Sequence, residues 1–225
     1  MVSAAVWATL LQHPASPLSG WLTDAVSRRV VMGVAMGSTA VALIQSPLGA
    51  RTGAHMNPAV TLAFLRVGKL GRRDAAGYVL GQFLGGSAGI VVATMLLAGL
   101  PSDPSVNYVA TVPGPLGAGV AFLAEAVIAF FMMALVLTLM SRPSLSRFTG
   151  LGAGLFVAIC IVVEAPLSGM SMNPARSLGS NLLSHAESSL WIYFTAPVLG
   201  MWLAAELYVR WPQPLRSLHH VYQPR

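Results

Sequence analysis

Two asparagines, Asn57 and Asn173, are each followed by proline and alanine, as Asn57-Pro58-Ala59 and Asn173-Pro174-Ala175, and Arg176 follows the second triplet directly. Asparagine is a strong helix N-cap because its side-chain oxygen accepts a first-turn N–H. Proline suits the first helical position, where its missing donor would be an orphan anyway. Alanine is the best helix former. Each triplet therefore starts a helix, and each asparagine keeps an amide N–H₂ that can donate to an oxygen. A helix N-terminus carries roughly half a positive charge. The chemistry on offer is hydrogen bonding to a neutral, oxygen-bearing molecule and repulsion of cations. Bond making is not: it needs a nucleophile–base pair or a metal cluster, and the apolar stretches offer Glu125, Glu164, Glu206 and Cys160 with no histidine partner. The lone cysteine excludes a disulfide framework and a cysteine zinc site. No catalytic residue, no metal and no cofactor is expected. Met56, Met170 and Met172 flank the triplets and read as adaptable packing rather than soft-metal ligands.

The triplets belong to a longer internal repeat. Gly53-Ala54-His55-Met56-Asn57-Pro58-Ala59-Val60 recurs as Gly169-Met170-Ser171-Met172-Asn173-Pro174-Ala175-Arg176, 116 residues later. The elements that position the copies follow from composition. The 225 residues are 55% hydrophobic and 9% charged, against about 25% charged in a soluble domain. That excludes an ordinary soluble enzyme, a disordered chain and a nucleic-acid binder. The net charge of +6 comes from residues scattered between apolar runs, not from a basic patch. A polytopic membrane protein remains, with the lipid bilayer as its first partner.

A spanning helix needs about 20 apolar residues. Residues 30–47, 75–97, 117–140, 150–166 and 190–209 qualify. Residues 2–11 make half a span, read as the second half of a first helix whose beginning is missing or lies upstream. Residues 58–67 and 174–183, which the triplets open, are each about 15 Å long at 1.5 Å per residue, half of a ~30 Å hydrocarbon core. With the N-terminus inside and both short segments re-entering on the side they left, ten of the 13 Lys and Arg lie inside: Arg51, Arg66, Lys69, Arg72, Arg73, Arg142, Arg147, Arg210, Arg216 and Arg225. That satisfies the positive-inside rule and puts the C-terminus in the cytoplasm. Three spans separate the two copies, so they enter from opposite faces as an inverted repeat, with a site where the broken helices meet near the midplane. The chain reads as one channel domain, 1–225, with half-repeats 1–97 and 117–209 and a tail, 210–225. The backbone before the triplets, about 52–56 and 167–172, is expected to be unwound. Irregular backbone at membrane depth is tolerated where it lines a wet cavity, so its carbonyls would form a row of acceptors. Donors at the centre, acceptors along the wall and no mobile charge describe a pore for small neutral hydroxylic molecules. A coupled transporter would want several ionisable groups at that depth.

These residues resemble the aquaporin, or major intrinsic protein, family. Gln82, Glu125 and Pro166 also fit its pattern, and the resemblance runs from residue 30 to residue 209. It implies an all-α membrane fold of six spanning helices, the first truncated here, plus two half-helices meeting at the midplane. It implies a homotetramer in the cell membrane, and a passive channel that passes water and small uncharged solutes while excluding protons and ions. Exclusion of cations by an arginine and by half-helix dipole ends is a general property of aquaporin-type pores. The resemblance further implies that His55 packs and hydrogen-bonds its loop. It implies that Glu125 accepts from backbone N–H groups of the second loop, and that a filter is built by Arg176, Ile161, Met170 and Gly37. A one-residue insertion would replace Gly37 by Met36. This filter is apolar and has no histidine, which points to glycerol or similar solutes beside water. Ser177 after the arginine, and Tyr193-Phe194 before Pro197, point to a strictly water-selective channel. The solute stays open between the two. Glu164 stands one turn from Ile161, either in the outer mouth or as a plain interfacial acid. Small residues are expected to let helices approach closely: Gly77, Gly81, Gly85 and Gly89 in one span, Ala196, Gly200 and Ala204 in another.

Overall fold

The computed structural model describes residues 1–184 and 189–210. Their regular structure is helical, with no strand among the described residues. In chain order the helices are α1 (Val2–Gln12), α2 (Pro17–Trp21), α3 (Ala25–Gln45), α4 (Pro47–Thr52), α5 (Pro58–Arg66), α6 (Arg72–Leu96), α7 (Gly117–Met140), α8 (Thr149–Val163), α9 (Ala165–Ser168), α10 (Pro174–Asn181) and α11 (Leu190–Arg210). Five of them, with α8 extended back to Ser146, are long and apolar enough to cross a membrane, and α1 is a shorter apolar helix. Large apolar side chains point outward, among them Leu80 (62% exposed), Leu84 (63%) and Met95 (75%). An apolar surface of that extent needs a non-aqueous partner. The tail 211–225, with Arg216 and Arg225, lies outside the described residues.

The helix ends differ from the sequence reading where side chains satisfy orphan backbone groups. Helix α3 starts at residue 25, not 30, because Asp24 caps it by accepting from Ser27 N at 2.7 Å. That bond holds the Asp24 carboxyl below its ordinary range. Arg28 and Arg29 both serve backbone carbonyls. Arg28 donates to Leu22 and Ser19 at the end of α2. Arg29 Nε donates to Val162 O at 3.1 Å. That carbonyl lacks its helical partner because the residue four positions on, Pro166, has no N–H. The same proline ends α8 at Val163, with a separate short turn, α9, after it. Helix α3 stops before Pro47, and Ser46 caps α4 by accepting from Gly49 N at 2.9 Å.

Close approaches occur at particular glycines. A Cβ on Gly37 would lie 2.6 Å from Gly154 O, and one on Gly33 would lie 2.6 Å from Ala158 O, so α3 and α8 touch backbone to backbone. Gly86 and Gly179 seat the half-helix α10 against α6, where a Cβ on Gly179 would lie 2.6 Å from Gly86 O. Gly200 packs α11 onto the Ala126 carbonyl of α7, between buried Ala196 and Ala204. The four-residue glycine series in α6 behaves otherwise. Gly77, Gly81 and Gly85 face open space, and only Gly89 meets protein, at Met1. Their expected role in packing within the chain is therefore corrected: Gly86 carries it, on the other face. The other half-helix, α5, packs through buried Ala59 and Ala63 into the cluster that holds Met201, Ala204 and Ala205 of α11. The half-helices thus sit on α6 and α11, the last spanning helix of each half.

Candidate functional site

The two half-helices meet end to end. Asn57 caps α5, its Oδ1 accepting from Ala59 N at 2.9 Å. Asn173 caps α10, accepting from Ala175 N at 3.0 Å and Arg176 N at 3.3 Å. The remaining amide groups cross over: Asn57 Nδ2 donates to Met172 O at 2.7 Å, and Asn173 Nδ2 donates to Met56 O at 2.8 Å. Each N–H₂ was expected to be free for a passing oxygen. One of its two hydrogens instead ties the two loops together, which leaves one donor per asparagine.

The loop carbonyls need a similar correction. Helix α4 runs to Thr52 and α9 to Ser168, so the unwound stretches are only 53–56 and 169–172. Within and beside them several carbonyls are taken: Thr52 O by Tyr78 Oη at 2.8 Å, His55 O by Gln82 Nε2 at 2.6 Å, and Met56 O by Asn173. In the second loop Leu167 O accepts from Gly114 N at 2.9 Å, Ser168 O from Tyr193 Oη at 2.6 Å, and Met172 O from Asn57. Gly53, Ala54, Gly169, Met170 and Ser171 keep carbonyls without a donor among the described residues. The conformation repeats with the sequence. Gly53 (φ 71°) matches Gly169 (φ 80°), and Ala54 (φ 51°) matches Met170 (φ 48°). Residues other than glycine seldom occupy this left-handed region. Tyr78 and Tyr193 also correspond, each donating to the carbonyl five residues before its asparagine. The sequence reading had not assigned Tyr78, and took Tyr193 only as an aromatic marker. Carrying the repeat register into the following span, with a one-residue shift, would have paired them.

Glu125 is fully buried. Its Oε1 accepts from Ser171 N at 2.6 Å and Ser168 Oγ at 2.7 Å, and its Oε2 accepts from Met172 N at 2.7 Å. No acid serves the first loop in this way: the N–H groups of His55 and Met56 have no acceptor among the described residues. A second network fixes the outer flank of α10. Thr111 Oγ1 bonds Ser177 Oγ at 2.7 Å, and Ser177 Oγ bonds Ser171 Oγ at 2.5 Å. Asn181 pairs with both the N–H and the C=O of Thr111.

The four residues expected to build a filter are not equivalently placed. Arg176 has a buried guanidinium nitrogen, Nη1, with no partner among the described residues. Met170 is 8% exposed, and Ile161 is half-buried against the same apolar cluster. Gly37 lies in the α3–α8 seam, where a side chain would strike Gly154. Its neighbour Met36 turns toward α1, its Sδ 3.9 Å from Ser3 Oγ. His55 stacks between Phe64 (4.8 Å) and Tyr78 (5.0 Å). Its Nδ1 is buried without a partner among the described residues, and the loop bond runs through its main-chain carbonyl. Gln82 also donates to Thr61 Oγ1 at 2.9 Å, joining α6 to α5.

Residues 3–208 match the family described as Major intrinsic protein. The chain is 33% identical over 197 residues to "Aquaporin NIP1-2" of Arabidopsis thaliana, covering 83% of this chain and 65% of that one. It is 32% identical over 179 residues to "Glycerol uptake facilitator protein-like 6" of Lactiplantibacillus plantarum, covering 78% and 82%. The chain thus spans about 65% of the length of the plant relative. Its fold is similar to that of the aquaglyceroporin from Plasmodium falciparum, with TM-score 0.72 and 20% identity over 93% of this chain and 90% of that one.

Proposed function

The chain belongs to the major intrinsic protein family, and from that premise we propose that it is a passive transmembrane channel for water and small neutral solutes such as glycerol, closed to protons and ions. It is a multi-pass integral membrane protein. The observation that carries the reading is the reciprocal pair Asn57–Met172 and Asn173–Met56. It brings two helix N-termini together, so both positive ends act on one point. Each asparagine there retains one donor, and the unpaired carbonyls of 53–54 and 169–171 supply acceptors on either side.

The filter comprises Arg176, Ile161 and Met170, with Gly37 of α3, which adds no side chain, as the fourth position. Arg176 donates to a solute oxygen, while Ile161 and Met170 give its CH groups an apolar wall. A polyol uses both; water uses only the donors. The two sequence signals for a strictly water-selective pore have other uses: Ser177 belongs to the Thr111–Ser171 network and Tyr193 holds Ser168 O. His55 and Glu125 serve as loop supports. Residues 1–97 and 117–209 form the two half-repeats of one domain, the channel assembles as a homotetramer in the cell membrane, and the C-terminus is cytoplasmic. The relative named as a glycerol uptake facilitator supports glycerol as a solute.

The test is stopped-flow light scattering on proteoliposomes, with water, glycerol and urea in turn, and a pH dye inside. Water and glycerol flux above empty liposomes, with no proton entry, is expected. Water flux without any solute flux removes the glycerol assignment. No flux of either removes the channel.

A further inference from the structure

Glu164 lies between α8 and α9, 6% exposed, and neither of its carboxyl oxygens has a hydrogen-bond partner among the described residues. A buried polar group left unmade is costly, and a buried charge far more so. The pore reading gives this residue no task. We propose that Glu164 is held as the neutral carboxylic acid, and that its O–H donates to Ser168 Oγ as a positioning bond for the 169–172 loop.

Ser168 is the hub of that loop. Its hydroxyl donates to Glu125 Oε1 and accepts from Met170 N at 3.1 Å, and its carbonyl accepts from Tyr193 Oη. A hydroxyl has one hydrogen and two acceptor sites, so one acceptor site on Ser168 Oγ is open, and Glu164 stands one helical turn before it, its carbonyl accepting from Ser168 N at 3.4 Å, which puts the two side chains on one face. Glu125 collects three donors, whereas Glu164 collects none among the described residues. Two neighbouring buried carboxylates do not both ionise readily, and Glu164 is the one without donors. Among the described residues no cation forms an ion pair with it. Arg29 of α3 is committed to Val162 O. Arg176 of α10 acts on Glu125 and Tyr193. The remaining titratable groups near Glu164 are Cys160, one turn back on α8, Tyr193 on α11 and Glu125 on α7. The neutral acid supplies the one donor that Ser168 lacks, completing a line from Glu164 through Ser168 and Glu125 to the N–H groups of Ser171 and Met172.

The flux consequence rests on the channel reading; the protonation state does not. Infrared spectra of the whole chain at neutral pH should contain a protonated-carboxyl C=O band that is absent from Glu164→Gln. In proteoliposomes, Glu164→Gln, whose amide can still donate to Ser168, should keep wild-type glycerol flux. Glu164→Leu, similar in size but without a donor, should lose it about tenfold, the order expected for one buried hydrogen bond. Absence of the band, its persistence in Glu164→Gln, or wild-type flux in Glu164→Leu overturns the proposal. Should Glu164→Leu not fold, the band and the flux of Glu164→Gln decide. A wild-type chain that shows the band but passes neither water nor glycerol overturns the channel reading and leaves Glu164 standing.

Discussion

Asn57 donates its side-chain amide to the carbonyl of Met172, 115 residues away, at 2.7 Å, and Asn173 returns the bond to Met56 at 2.8 Å. Each asparagine therefore caps its own half-helix with its oxygen and fastens the opposite loop with its nitrogen. The two roles separate by mutation.

Asn57→Asp keeps the cap acceptor and loses the donor. Asn57→Ala loses both. The alanine variant should be destabilised by about 2 kcal/mol, one cap plus one hydrogen bond, or roughly 4–8 °C in melting temperature for a chain of this size. The aspartate also places a negative charge between two positive helix ends. It should admit cations that the wild type rejects. Melting in detergent and cation flux in liposomes read the two effects; equal melting of wild type and alanine variant would dismiss the cross-link as an energetic element.

Glycines of one helical system should respond in opposite ways. Gly37→Ala forces a Cβ to within 2.6 Å of Gly154 O and should destabilise the α3–α8 seam by about 1–3 kcal/mol. Gly77→Ala meets nothing within 4 Å and should be neutral or stabilising by roughly 0.5–1 kcal/mol through helix propensity. Thermal unfolding of the detergent-solubilised protein distinguishes them. A destabilising Gly77→Ala would reveal a contact outside the single chain.

The two pore loops should differ in local stability. Ser171 and Met172 donate their N–H groups to Glu125, while those of His55 and Met56 have no acceptor among the described residues. Amide hydrogen exchange should be faster at 55–56 than at 171–172, since opening free energy follows such bonds. Glu125→Gln should speed exchange at 171–172 and leave 55–56 unchanged. Equal rates in the two wild-type loops would contradict the asymmetry.

On the proposed filter, Ile161→His introduces a donor and a ring into the apolar wall opposite Arg176. Glycerol flux should fall more than water flux, because the polyol loses the surface for its CH groups and the bore narrows. Proteoliposome swelling with both solutes gives the ratio directly. An unchanged ratio would place Ile161 away from the lumen.

The residues 57–59 and 173–175 were legible from the sequence as helix starts because capping is local: an acceptor, a proline and an alanine act within one turn. The span over Gly117–Met140 was readable for a similar reason, as uninterrupted apolar length bounded by glycine and arginine-bearing turns. The inverted repeat followed from spacing alone, and with it the meeting of two half-helices. What the asparagine nitrogens bond to was not readable, since Met172 and Met56 become neighbours only when the halves fold together. The same holds for Arg29, whose partner carbonyl on Val162 is orphaned by a proline 137 positions later in the chain. The glycine series of α6 failed for a different reason. A four-residue period names a helix face but not what that face meets, and tertiary packing chose Gly86 instead. The first-loop histidine and the filter glycine divided likewise: the sequence determined which residues stand beside the pore motifs, and the packing of α3 on α8 and of Phe64 on His55 decided which way they turn. Local chemistry fixes where helices begin; long-range contact fixes what their side chains are for.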